Sequence, residues 1–114
     1  METVKQIIDQ AGYDSAAEMD IGETIEVSAP GVMDLVIEKI GHDTLSVAQY
    51  WKQRGDMMRD PEVVFSVEKG DWLPVEYRQD PLFHRVEETG LQIDDFLSTW
   101  DRNLKNQGFL ETGE

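Results

Sequence analysis

The residues best suited to chemistry fall in one short run, YWKQRGDMMRDPE, from Tyr50 to Glu62. Asp56, Asp60 and Glu62 are hard oxygen donors of the kind that hold Mg²⁺ or Ca²⁺. Their spacing does not follow the EF-hand pattern, and Arg54 and Arg59 stand among them with the opposite charge. The same residue types also make turns. Asp56 after Gly55 and Asp60 before Pro61 can bond nearby backbone, and Pro61 fixes the approach to a following strand. Two readings stand side by side. In the first, Tyr50, Trp51, Asp56, Met58, Arg59 and Asp60 form a partner-binding surface. In the second, Asp56, Asp60 and Glu62 serve a metal-dependent enzyme or a small-ligand module. As backbone, the run is expected to connect a strand ending near Trp51 to one beginning at Glu62.

Elsewhere the chemistry is thin. The chain has no cysteine, which removes disulfides, thiolate metal sites and cysteine nucleophiles. His42 falls in the turn Gly41-His42-Asp43 and His84 in the strand-like run Phe83-His84-Arg85. Neither has a legible nucleophile or acid partner, and the sequence holds no HExxH, P-loop or GxGxxG motif. The expectation is a protein without catalytic residues and without a cofactor. The tripeptide Arg54-Gly55-Asp56 suggests adhesion, but METVKQIIDQ does not read as a secretion signal.

Charge narrows the partners. The chain carries 24 acids against 10 bases, a formal net charge of −14. The excess is spread along the sequence, with near balance only over 32–60. Such a field repels phosphates, which argues against direct nucleic-acid binding despite the aromatics, and favours a basic protein partner. Carboxylates in rows could also imitate the regular charge of DNA, about one phosphate per 1.7 Å of duplex axis. No apolar run approaches the roughly 20 residues a membrane-spanning helix needs. A soluble, cytoplasmic protein is expected.

The elements that must position these residues are readable from periodicity. Val4, Ile7, Ile8 and Ala11 form one helical stripe, with Thr3 and Gln6 at capping-box spacing and Gly12 placed to end the helix. Thr24–Ala29, Val32–Ile40, Thr44–Trp51, Glu62–Glu68 and Trp72–Arg78 alternate as strands, and Leu82–Glu88 resembles a further short one. Leu35 and Ile37 share a face, as do Val63, Phe65 and Val67, and Leu73, Val75 and Tyr77. Pro74 suggests an edge position. Ile93, Phe96, Leu97, Trp100 and Leu104 make a second helical stripe, with Asp94 as N-cap and Gly108 as stop. The expected architecture is a single α+β domain: an antiparallel meander of about five strands with an N-terminal and a C-terminal helix on one face. An open meander leaves edges, so a homodimer is compatible with it.

Several runs together resemble a family of small uncharacterised proteins encoded on bacterial phages, plasmids and integrated mobile elements. They are MDLVIEKIG, LSVAQYW, KQRGDMMRDPEVVF, WLPVEYRQD and DRNLKNQGFLE, covering nearly the whole chain from Gly12 to Leu110. The most specific positions are Tyr50, Gly55, Asp56, Met58, Asp60, Pro61, Glu62 and Phe65; Trp51 and Arg54 depart from the tyrosine and asparagine common there. The FLSTWDRNL run is similar to a second uncharacterised bacterial family. Neither resemblance supplies a catalytic residue. What the first implies is context, a small accessory protein of a mobile element. Such elements carry inhibitors of host defence, so an anti-CRISPR or DNA-mimic inhibitor of a defence nuclease is one concrete form of the non-enzymatic reading.

Overall fold

A computed structural model describes residues 1–29, 31–53, 56–67, 72–79, 83–87 and 89–109; at 51–53, 56–60 and 83 it describes the backbone. Helix α1 spans Glu2–Gln10, and a single 3₁₀ turn follows at Ala16–Glu18. The strands are β1 (Thr24–Val27), β2 (Asp34–Gly41), β3 (Thr44–Gln53), β4 (Asp56–Ser66), β5 (Leu73–Gln79) and β6 (Phe83–Val86), and α2 (Asp94–Asn106) closes the order. The strands lie side by side in sequence order in one six-stranded antiparallel sheet. The α+β meander with two helices is therefore as expected, with β6 as a sixth strand. Among the described residues no helix is long and apolar enough to cross a membrane.

The sheet has two unlike faces because side chains alternate along each strand. One face carries Leu35, Ile37, Leu45, Val47, Val63 and Phe65, all fully buried. Val4, Ile7 and Ile8 of α1 and Trp100 and Leu104 of α2 pack on it to form one core. Each helix is amphipathic and too short to be stable alone, so its stability comes from this docking. The N-terminal helix begins two residues earlier than the capping-box reading implies. Thr3 is inside it and buried, and its hydroxyl donates to the Asp101 carbonyl at 3.1 Å while its backbone N–H donates to Asp101 Oδ1 at 2.8 Å. Thr3 thus ties α1 to α2. Ala11 falls outside the buried stripe.

Two β-bulges correct the sequence reading. Ala48 pairs with Glu62 but Tyr50 with Arg59, so Asp60 and Pro61 together oppose Gln49. A bulge lets proline sit inside a strand, since the extra residue owes no ladder bond. The strand therefore runs through Pro61 to Asp56, and the expected connection from Trp51 to Glu62 is instead strand backbone on both sides, with Gln53 paired to Asp56. The second bulge lies in β5, where Val64 pairs with Glu76 and Phe65 with Pro74. Val75 is the extra residue, which takes Leu73 off the core face, where it is 42% exposed. Pro74 sits at this bulge in an interior strand, not at an edge, and its carbonyl accepts from the Leu91 N–H at 2.8 Å.

Two polar side chains lie on the core face. Lys39 is 2% exposed, and its ammonium donates to the carbonyls of Ala16 at 2.8 Å and Met19 at 3.1 Å. Gln49, also 2% exposed, accepts from Trp100 Nε1 at 2.9 Å and donates to Gln107 Oε1 at 2.8 Å. Buried polar groups need such partners. These bonds fix the 3₁₀ turn and α2 against the sheet.

Candidate functional site: the second sheet face

The helices pack on one face of the sheet; the hydrophobic core they form takes in no residue of the other. Register places its residues in rows across the strands. One row runs Glu26, Val36, Ala48, Glu62, Arg78, His84. Its neighbour runs Thr24, Glu38, Ser46, Val64, Glu76, Val86. A third holds Asp34, Tyr50 and the backbone position of Arg59. Ser46, Ala48 and Val64 are buried yet stand apart from the helix-covered core. They form a recessed strip of small and apolar side chains along the middle of the face.

Carboxylates flank that strip. Glu26 and Glu38 lie on the β1–β2 side, Glu62 and Glu76 on the β4–β5 side, and Asp34 near one end. Glu62 accepts from Ser46 Oγ at 2.6 Å, which holds its carboxylate over the strip. Among the described side chains, the face's basic groups, Arg78 and His84, stand at the β6 end. His84 Nε2 stands 3.3 Å from Arg78 and 3.3 Å from Glu76 Oε1. That nitrogen cannot serve both at once: toward Arg78 it accepts without a proton, toward Glu76 it donates one.

At the far edge, beside β1, Tyr13 donates its hydroxyl to Glu23. The hydrogen bond from Tyr13, with a second from the Asp20 backbone N–H, holds the Glu23 carboxyl below its ordinary range. The same bond, with smaller effects of burial and of the Glu23 charge, pushes the Tyr13 phenol up. This pair anchors the segment ahead of β1.

Of the residues expected to bind a partner, Tyr50 is half-buried in the third row of this face. Trp51 pairs with Met58 and Arg59 with Tyr50 on the extended β3–β4 hairpin, Asp56 pairs with Gln53, and Asp60 lies in the bulge opposite Gln49. The side chains of Trp51, Asp56, Met58, Arg59 and Asp60, like Arg54 and Gly55 altogether, lie outside the described residues. The segment proposed as a metal-binding loop is strand. At about 3.3 Å per residue, the Cα atoms of Asp56 and Asp60 stand about 13 Å apart along it, and Glu62 lies beyond the bulge. No cluster of three or more potential metal-ligating side chains occurs among the described residues.

Alternation in the sequence puts Val36 with Glu38, and Ser46 with Ala48 and Tyr50, on shared faces. It did not single out Glu26, Glu38, Glu62 and Glu76 as one surface. The signal was there, since all occupy alternate positions opposite the apolar ones. What was missing was which face the helices would leave bare.

No curated protein and no solved structure matches the chain. Residues 2–110 match the family described as Domain of unknown function (DUF6908). The match spans almost the whole sequence, both helices and all six strands included, and the chain belongs to that family of domains of unknown function.

Proposed function

We propose that this protein is a non-enzymatic interaction module whose bare sheet face holds a basic protein partner. The observation that carries this reading is the composition of that face. Among the described side chains, Glu26, Glu38, Glu62, Glu76 and Asp34 surround a recessed strip of small side chains, against Arg78 and His84 at one end. Antiparallel sheets commonly leave one face to water. Here the wet face is acidic in a chain of net charge −14. The carboxylates supply steering and selectivity for lysine and arginine.

The resemblance to proteins of mobile elements supports a concrete version. The module would act in the cytoplasm of a bacterial host on a defence nuclease, occupying a basic channel built for nucleic acid. Within each row the carboxylates stand three strands apart, Glu26 from Glu62 and Glu38 from Glu76, about 14 Å at about 4.8 Å per strand. The alternative, a metal-dependent or small-ligand site on Asp56, Asp60 and Glu62, has weaker support, because strand backbone spreads those positions apart.

Co-purification from the native host identifies the partner, and its affinity is then measured against salt. Binding should weaken steeply as ionic strength rises and the Debye length falls below about 10 Å. Affinity indifferent to salt counts against the reading.

A further inference from the structure

A cleft of about 380 Å³ opens beside the core, away from the bare face, where α1, the 3₁₀ turn, the β2–β3 turn and the start of β5 meet. Its floor is apolar: Ile8, Ala16, Val67 and the indole of Trp72. Its rim carries Lys5, Asp14 and Asp43. The volume falls in the usual range for small-ligand sites, about 300–1,000 Å³.

The chain already shows what this indole face accepts. Lys5 Nζ sits 5.6 Å from the centre of the Trp72 ring, a cation–π contact with an alkylammonium. Lys5 has its own counter-ion in Glu2, 3.5 Å away on the same helix. It therefore does not neutralise the two rim aspartates. Among the described residues Asp14 takes part in no ion pair, and the ion partner of Asp43 is His42, at 4.0 Å and 92% exposed. Among the described residues the cleft thus combines an aromatic face, an apolar floor and two carboxylates, with Lys5 as its basic side chain.

We infer that this cleft binds a primary alkylammonium group, carried either by a free aliphatic amine or by a lysine side chain. The methylenes lie on Ile8 and Val67, the ammonium meets Asp14 and Asp43, and the Trp72 ring takes the cation in place of Lys5. Lys5 acts as an internal competitor for the ring.

The test uses the full chain with three probes: cadaverine, Nα-acetyl-lysine amide and 1-pentanol, followed by calorimetry and amide NMR. Cadaverine should bind, and should shift the resonances of Ile8, Ala16 and Val67. The double variant Asp14→Asn/Asp43→Asn should weaken it roughly tenfold, the scale of a lost charge-assisted contact. Lys5→Gln should tighten it, because the ring is vacated; a cation–π pair with a purely structural role would leave affinity unchanged or lower. Binding of cadaverine but not the lysine amide assigns the site to free amines; binding of the lysine amide assigns it to a protein side chain. Absence of binding by both amines, equal binding of 1-pentanol, or an unchanged affinity in the folded double variant would overturn the inference.

Discussion

The indole N–H of Trp100 donates to the side-chain oxygen of Gln49 at 2.9 Å, joining the last helix to the middle of the sheet across 51 residues of sequence. The amide nitrogen of Gln49 continues the chain to Gln107 at 2.8 Å and to the Met33 carbonyl at 3.3 Å. Gln49 is also the residue that opposes the Asp60–Pro61 bulge. The bulge and this bridge therefore meet at the same point: the extra residue in β4 lies across from the glutamine that bonds α2 and its C-cap to the sheet.

Replacing Gln49 should expose that dependence. Gln49→Leu keeps bulk but leaves the Trp100 N–H and the Gln107 oxygen without their partner in the core. The cost is about 1–3 kcal/mol, the penalty of an unsatisfied buried group. Urea denaturation followed by tryptophan fluorescence measures it. Leu104→Ala, an apolar change on the same helix, should cost about 2–5 kcal/mol by cavity formation.

Lys39 supports a second expectation. Its ammonium satisfies two carbonyls of the 3₁₀ segment, and its own backbone N–H and carbonyl bond Glu23 at 3.0 Å and Gly22 at 2.7 Å. Lys39→Met fills the volume without the donor. Global stability should fall by about 1–3 kcal/mol, because the Ala16 and Met19 carbonyls lose their buried donor. Amide exchange should accelerate locally at Glu18, Met19 and Gly22. Exchange unchanged there would show that the lysine does not hold the segment.

The Tyr13–Glu23 pair predicts opposite effects at the two ends of the pH range. Glu23 titrates below the ordinary 4.5 in the folded chain, so its contribution is present above that value and is lost as pH falls through the lowered one. Tyr13 titrates above 10.0, so its contribution is complete below that value and is lost as pH rises through the raised one. Tyr13→Phe should lower the melting temperature through the neutral range. The difference from the parent should shrink in acid and in strong alkali.

Much of this architecture can be read from the sequence, for reasons that also explain the rest. The stripes Val4-Ile7-Ile8 and Trp100-Leu104 repeat at the helical period, and both are buried. Leu35-Ile37 and Val63-Phe65 alternate, and both lie on the core face. The start of β4 was misplaced because Asp56, Asp60 and Pro61 are turn residues by type, and only pairing with β3 shows that a bulge absorbs the proline. Leu73 was misassigned for the same reason at Val75. Alternation places Lys39 and Gln49 on the apolar face, but their partners lie 23 and 51 residues away, beyond what local pattern can reveal. The acid rows follow from alternation too; their exposure depends on where α1 and α2 dock.

The bare-face account is tested most directly by charge-matched variants. Glu26→Gln, Glu38→Gln, Glu62→Gln and Glu76→Gln together neutralise the face. Asp9→Asn, Glu18→Gln, Asp20→Asn and Glu87→Gln remove the same formal charge from exposed positions elsewhere. Affinity for the co-purified partner is measured for both at one ionic strength, after circular dichroism confirms the fold. The account predicts that the face variant loses the partner while the control binds within a few-fold of the parent, as expected for rim charges far from a contact. Equal loss in both variants, or full retention by the face variant, would contradict it.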